Sequence, residues 1–434
     1  MGSEEITLQK FGRSMVNEPG KILFSHPTGN TNVRALLHSI AKTDNLEAFI
    51  TTIAINKNAK WLNYLPQVVK IELLRRVFPI KNELIITHPL RELARLALPR
   101  LGLGALISKV DSFAHVNSVY KDLDFFTATY LEKNGIKNNI KAVYAYEDGA
   151  YETFLQAKKL GIECIYELPI AYWKTLRRLL LQEAERMPAW AITLKGGIDD
   201  STAKLDRKTQ ELELADKIIV PSHFVAESLP DSAMSKPVLI APFGSPESLY
   251  NLTQKNTRTK PDALNKLKVL FVGSMSQRKG LGDLFDAMKI LEGLPIELIV
   301  LGALQAPIAF YRDQYNDFIY QEGRTHQGVL EIMSNADIFC LPSIVEGRAL
   351  VLQEAMSQGL PLIITANTGG SDLIIEAETG FLVETGNATA IAEKIKWFYE
   401  NWEQIDAMSI NSRKHALNYT WEKYAAHILT LIEA

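Results

Sequence analysis

Two acids and two cations carry the chemistry that this sequence offers. Glu346 and Glu354 stand eight positions apart behind the apolar run 337–342, and Arg278-Lys279 follow the apolar run 268–273. If both acids ride one helix, eight residues give about 12 Å of rise, with one carboxylate at the helix start and the other two turns deeper. That separation suits a long polar ligand with hydroxyls at two places and a phosphate between them. Two adjacent cations behind a strand and a glycine suit a diphosphate, whose charge grows as a bond to it breaks. Each feature also has a plainer reading: Glu346 as a favourable acid at a helix N-terminus, Glu354 as a solvated surface residue, and Arg278-Lys279 as a solvated loop pair.

Such groups act together only if the chain holds them in one place. Short β-branched runs alternate with helical patterns along the whole length. They are 21–25 (KILFS), 141–146 (KAVYAY), 162–167 (IECIYE) and 217–221 (KIIVP), then 268–273 (KVLFVG), 296–302 (IELIVLG), 337–342 (DIFCLP) and 360–365 (LPLIIT). Continuous apolar strands between helices imply parallel sheets covered on both faces, the doubly wound α/β class. Residues 251–265 (NLTQKNTRTKPDALN) are polar and aperiodic and read as a linker. The expected division is therefore 1–250, a linker over 251–266, a second domain over 267–415, and a last helix over 416–434. That helix has Thr420 as its N-cap, carries Tyr424, Ile428 and Leu431 on one stripe, and is expected to pack toward the first domain. Ligands bind at strand carboxyl ends in such sheets, so an interdomain cleft is the expected site.

The order of motifs is more specific than any one of them. Asn335-Ala-Asp-Ile-Phe-Cys-Leu-Pro-Ser343, the segment Glu346 to Glu354, Ala355-Met-Ser-Gln-Gly-Leu-Pro361 and Thr368-Gly-Gly-Ser-Asp-Leu373 follow in close succession. Together they closely resemble the nucleotide-sugar domain of family-four retaining glycosyltransferases, which have the GT-B fold. Phe271-Val-Gly-Ser-Met-Ser-Gln-Arg-Lys-Gly280 resembles that family's phosphate loop, and Glu213 to Leu229 matches the first half more weakly. The resemblance spans residues 268–393. It implies two Rossmann-like domains facing across a cleft and a UDP- or GDP-sugar as co-substrate, with no cofactor or metal required. It further implies that Arg278 and Lys279, with Gly273 and Ser274 beside them, hold the leaving diphosphate. Glu354 would take the ribose hydroxyls. Glu346, with the backbone of Gly347, Arg348, Ala349 and Leu350, would hold the sugar and its oxocarbenium-like centre. In the first domain, Gly29 of His26-Pro-Thr-Gly-Asn30 matches the loop brought against the phosphate.

Acceptor-side residues are expected in the same place. His26, Asn30, Tyr146, Glu147 and Asp148 follow runs 21–25 and 141–146 and face the cleft by position; adjacent acids at a strand end also serve simple solubility. Three departures stand out. Ser274 occupies the place where the family often has Arg, Pro242-Phe-Gly-Ser-Pro246 replaces an acid-bearing motif, and Arg348 follows Glu-Gly where a small or aromatic residue is usual. A cation there suggests a charged sugar or an acidic acceptor. Asp122-Leu-Asp124 spells a metal triad of the other glycosyltransferase fold, but it lies in a helical pattern and reads as chance, and no histidine pair has metal-ligand spacing.

Composition narrows the partners. Lys+Arg 47 against Asp+Glu 50 gives a net charge of −3, which supplies no field for nucleic acid. Cys164 and Cys340 lie far apart in apolar runs and read as buried thiols in a reducing compartment. The first twenty residues are polar and no run crosses a membrane, so a cytoplasmic protein is expected. Residues 60–110 carry nine basic and three acidic residues interleaved with leucine. That pattern fits either a helix resting on anionic lipid or one packed on the sheet with a solvated face, and so either a lipid-linked or a soluble acceptor. The leading reading is a retaining hexosyltransferase acting on a glycan, glycolipid or small-molecule hydroxyl. A GT-B-type epimerase or phosphorylase, or a catalytically silent glycan-binding partner, would use the same cleft.

Overall fold

The computed structural model describes residues 20–109, 112–194, 196–249 and 259–433. The polar amino-terminal stretch and the first half of the expected linker lie outside them. The first half forms one parallel sheet of seven strands: β1 (Lys21–Ser25), β2 (Leu46–Thr51), β3 (Ile85–Thr87), β4 (Ile140–Tyr146), β5 (Glu163–Glu167), β6 (Lys217–Val220) and β7 (Val238–Ile240), in the order β3-β2-β1-β4-β5-β6-β7. The second half forms a parallel sheet of six: β8 (Leu267–Val272), β9 (Ile296–Leu301), β10 (Phe318–Gln321), β11 (Ile338–Leu341), β12 (Leu362–Thr365) and β13 (Gly380–Val383), in the order β10-β9-β8-β11-β12-β13. Two Rossmann-like domains are present.

The eight apolar runs are β1, β4, β5, β6, β8, β9, β11 and β12, each within two residues of its expected ends. Five strands escape the pattern, and four of these, β3, β7, β10 and β13, are the sheet edges. An edge strand is short and half solvated, so it need not be a continuous apolar run. The fifth, β2 (LEAFIT), carries an acid at its second position. In each sheet the order reverses once, between β1 and β4 and between β8 and β11. A crevice opens at such a reversal because adjacent crossovers leave to opposite faces. His26 and Glu147 follow β1 and β4, and Arg278 and Glu346 follow β8 and β11, so the candidate residues straddle both crevices.

Each half lends a segment to the other. The final helix, Trp421–Glu433, lies on helix Thr31–Lys42 of the first domain and buries Tyr424, Ala425 and Ile428 in the core over β1 and β4. In return Trp190, from the first-half turn Pro188–Thr193, sits in the second-domain core, its ring 5.7 Å from Phe285 and 5.1 Å from Phe310. The final helix is also held by polar contacts. Glu167, at the end of β5 and 1% exposed, accepts hydrogen bonds from Tyr144 at 2.5 Å, Asn32 at 3.1 Å and Tyr424 at 3.2 Å. Burial pushes its carboxyl above the usual range, and those donors oppose the rise. Both cysteines are buried and unbridged.

Glu167 satisfies three buried donors at once, so truncating it has a predictable cost. Glu167→Ala is expected to destabilise the protein by about 3 kcal/mol and Tyr424→Phe by about 1 kcal/mol, as measured by urea unfolding.

Candidate functional site

The site begins at the end of β8. There the chain turns through residues 273–276 into the single turn Gln277–Lys279 and enters helix Leu281–Ile290 through Gly280, at φ 72°. A Cβ on Gly280 would lie 2.0 Å from the Pro342 carbonyl oxygen, so only glycine lets this loop press against the end of β11. That contact brings the cations to the acid. One Glu346 oxygen, Oε1, lies 2.6 Å from Arg278 Nη1 and 2.6 Å from Lys279 Nζ. Glu346 is 8% exposed. Burial, followed by the neighbouring Arg278, holds the Lys279 ammonium below its usual range against the pull of Glu346. Ser274 pairs with Ser276 in the same loop, hydroxyl to hydroxyl at 3.4 Å.

Glu346 and Glu354 do not share a helix. The helix is Leu350–Ser357, with Ala349 as its N-cap, and Glu346 stands on the loop before it. Its amide bonds to the Asn367 carbonyl at 3.0 Å and that of Ala349 to the Thr368 carbonyl at 3.2 Å. Glu354 is on the helix, paired with His326 at 3.1 Å, its carboxyl raised by burial and lowered in part by that histidine. Gly347 is the point where the domains meet. Its carbonyl accepts a hydrogen bond from Ser222, just after β6, at 2.6 Å, and a Cβ there would lie 1.8 Å from the Pro169 carbonyl oxygen. Leu350 packs on the first-domain core.

Arg348 corrects the sequence reading. Its side chain turns away from Glu346, pairs with Asp372 at 2.7 and 3.0 Å, donates to the Gly369 carbonyl and lies over the Tyr419 ring. The guanidinium is fully buried and ties the loop to the chain before the last helix, so it says nothing of a charged sugar.

The first-domain residues are more engaged than their positions suggest. His26 is buried against Tyr146, and its Nδ1 accepts from the amides of Thr28 at 3.1 Å and Gly29 at 2.7 Å. The Gly29 amide is therefore closed to a phosphate in this state, and the Phe78 ring fills the space beside it. Burial, with Arg76 nearby, lowers His26 to about 3. Asn30 caps helix Thr31–Lys42, and the Tyr146 hydroxyl accepts from Asn32 at 3.1 Å. Glu147 pairs with Lys208 at 3.1 Å and Asp148 with Arg207 at 2.9 Å. Both acids thus face the cation row of helix Thr202–Leu214, a pairing that their positions after β4 do not reveal. Asp122 and Asp124 play structural parts: the first pairs with Arg91 and His88, and the second accepts from the amides of Glu152 and Thr153. Sequence reasoning missed Ser222, Glu211 and His326. Glu211 binds the Asp148 and Ala150 amides and is raised to about 8 by burial; it and His326 belong to no motif, while Ser222 lies inside the weaker match over Glu213 to Leu229 without standing out there. Among the described residues no cluster of three His, Cys, Asp or Glu is placed to hold a metal ion.

Comparison with known proteins agrees with this fold. Residues 253–415 match the family model of glycosyl transferases group 1. The chain is 30% identical over 166 residues to the capsular polysaccharide biosynthesis glycosyltransferase CapM of Staphylococcus aureus, covering 37% of this chain and 42% of CapM. It is 26% identical over 254 residues to the D-inositol 3-phosphate glycosyltransferase of Corynebacterium diphtheriae, covering 52% and 58%. The matches thus span about half the length of these curated relatives. Among solved structures, sucrose-phosphate synthase of Thermosynechococcus elongatus superposes with a TM-score of 0.61 at 17% identity, covering 95% of this chain and 98% of that one. Anabaena HepE in complex with UDP does so with 0.60 at 16%, covering 95% and 99%. The fold is GT-B.

A neutral buried His26 makes folding acid-sensitive. The unfolded chain takes up its proton near pH 6.5 and the folded chain only near 3, so this contribution to stability is present above pH 6.5 and is lost as pH falls toward 3. Between pH 6.5 and 5 it amounts to about 1.5 kcal/mol. His26→Asn, whose amide oxygen can accept the same two backbone bonds, is expected to show a shallower loss in chemical denaturation at the two pH values.

Proposed function

We propose that the protein is a retaining glycosyltransferase that moves a hexose-type sugar from a UDP- or GDP-sugar to a hydroxyl of a glycan, glycolipid or small molecule. The single observation that carries this reading is the convergence of Arg278 and Lys279 on one oxygen of Glu346, where the strand ends of both domains meet. Two cations sharing one carboxylate leave positive charge over. A diphosphate of two or more negative charges can draw both cations to itself and free Glu346 to face the sugar it carries. UDP is bound in the HepE structure, and capsular polysaccharide synthesis is named for CapM; both support a nucleotide-sugar and a glycan product here.

In this mechanism the bond between the anomeric carbon and the phosphate oxygen lengthens first. Arg278 and Lys279 neutralise the leaving diphosphate, and Glu346 steadies the positive anomeric carbon. The acceptor hydroxyl attacks from the side the diphosphate is leaving. Its proton passes to the departing phosphate oxygen as the new carbon–oxygen bond forms, so the configuration is kept. Glu354 lies one helix away, beside His326, where ribose hydroxyls would reach it.

The acceptor side includes a lipid-facing reading. Residues 60–109 include short helices by the ends of β2 and β3, joined by the buried Arg76–Glu92 pair at 2.8 Å. Leu90, Leu101 and Leu106 are exposed in this stretch, as are Lys60, Lys81, Arg100 and Lys109. No described helix is long and apolar enough to cross a membrane, so a surface contact with anionic lipid is the form we assign.

UDP, GDP, ADP and their sugars, each at about 100 times its dissociation constant, should stabilise a binding protein by about 2.7 kcal/mol. One nucleotide is expected to raise the melting temperature of the wild type and to do so less for Glu354→Ala; a flat response to all of them sinks the sugar-donor reading and favours a silent glycan-binding role. For the lipid reading, the wild type should sediment with vesicles containing phosphatidylserine and not with phosphatidylcholine alone. Leu101→Asp with Leu106→Asp should lose that binding.

A further inference from the structure

A second polar cluster lies directly behind the Glu346 trio, and all of it but the half-exposed Arg186 is more deeply buried than that trio. Gln277 opens the turn that carries Arg278 and Lys279, and it is fully buried. Its amide nitrogen donates to Glu183 at 2.6 Å and to Asp283 at 2.8 Å, and its amide oxygen accepts the Gly282 amide at 2.8 Å. Its own backbone amide donates to the Thr193 hydroxyl at 3.0 Å. Arg186 closes the cluster, reaching Glu183 at 2.6 Å and both Asp283 oxygens at 2.7 and 2.8 Å.

Three of these partners, Glu183, Arg186 and Thr193, belong to the first half of the chain, on helix Trp173–Arg186 and the turn Pro188–Thr193. This is the stretch whose Trp190 enters the second-domain core. Its seat is shaped to fit, since a Cβ on Gly282 would meet Gln277 Oε1 at 2.6 Å and the Trp190 ring at 2.8 Å. An amide is the one side chain that suits the place. It offers two N–H groups to two carboxylates and a carbonyl to a backbone N–H; a glutamate of the same shape would set a third acid against the first two. On its other side the turn is joined to the Glu346 loop, because the Arg278 carbonyl accepts the Ile344 amide at 2.9 Å. A fully satisfied buried network fixes one geometry where an apolar contact would tolerate several.

We propose that Gln277 is a positioning residue that sets the Arg278-Lys279 turn for the leaving diphosphate, and that the first-domain stretch 173–193 holds Gln277 in place. The inference rests on the reading of Arg278 and Lys279 as diphosphate ligands. It makes the phosphate loop of one domain answer to a segment of the other.

The test compares the wild type with Gln277→Glu, with the swap Gln277→Glu plus Glu183→Gln, and with the milder Thr193→Val, which removes the hydroxyl at nearly constant shape. UDP and GDP are titrated by calorimetry, and amide exchange of residues 274–282 is followed without ligand. Gln277→Glu is expected to weaken nucleotide binding at least tenfold and to speed exchange across 274–282. The swap, which restores an amide facing a carboxylate, should recover binding to within about threefold, and Thr193→Val should fall between. Unchanged exchange across 274–282 in Gln277→Glu and Thr193→Val overturns the proposal whether or not a nucleotide binds. So does wild-type affinity in Gln277→Glu, or a loss of binding that only tracks a fall in melting temperature and is not recovered by the swap. A wild type that binds neither nucleotide removes the diphosphate reading instead, and the exchange data then decide whether the cluster sets the loop.

Discussion

Everything around Glu346 depends on how closely two backbones approach at Gly347. The Pro169 carbonyl oxygen of the first domain occupies the space a side chain would need, and Ser222 binds the Gly347 carbonyl from the same side. Gly369 packs against the same pair, since a Cβ there would lie 1.9 Å from that carbonyl oxygen and 2.8 Å from the Ser222 hydroxyl. A methyl group on Gly347 would force the two backbones apart, and one on Gly369 would displace the Gly347 carbonyl and the Ser222 hydroxyl bound to it. The carboxylate one residue earlier would then leave the two cations that face it. The cleft is thus defined by what the chain leaves out at these positions as much as by the charged groups it supplies.

The charged groups gain their meaning from that closeness. Glu346 is nearly dry, and an acid in such a place is stable only with partners. Arg278 and Lys279 provide them from a loop of the same sheet, across the β8–β11 crevice. A charge cluster that is complete without ligand also has something to exchange when an anion arrives, which loosely solvated side chains would lack. His26, Glu147 and Asp148 behave differently. Their partners are a turn and a helix of their own domain, so their pairing does not depend on the approach of the second sheet.

Much of this was readable in the chain and some was not, for reasons of distance. The central strands are apolar on both faces and announce themselves; the edge strands β3, β7, β10 and β13 are three or four residues long and do not. Arg278, Lys279 and Glu346 are visible because each follows a recognisable strand. The idea that Glu346 and Glu354 share a helix failed because spacing alone cannot place a helix start, and Ala349 sets it three residues after Glu346. Arg348 misled because a cation beside an acid in sequence can turn to another acid in space, here Asp372. Ser222 and Glu183 could not be found locally: their partners lie 125 and 94 positions away, and nothing in the intervening pattern links them.

The exchange of segments between the halves bears on the order in which the molecule can be made. A chain emerging from the ribosome presents all seven strands of the first sheet while the helix Trp421–Glu433 is still unsynthesised. Until that helix arrives, the core over β1 and β4 has no cover where Tyr424 and Ile428 will lie, and Glu167 lacks one of its donors. Trp190, in turn, has no home before the second sheet exists. Contacts of such long sequence separation form late and slowly, and a half-built domain with open apolar surface is exposed to aggregation. The first domain therefore becomes fully native only once that helix has been made, and the two halves fold as one unit although they are built as two.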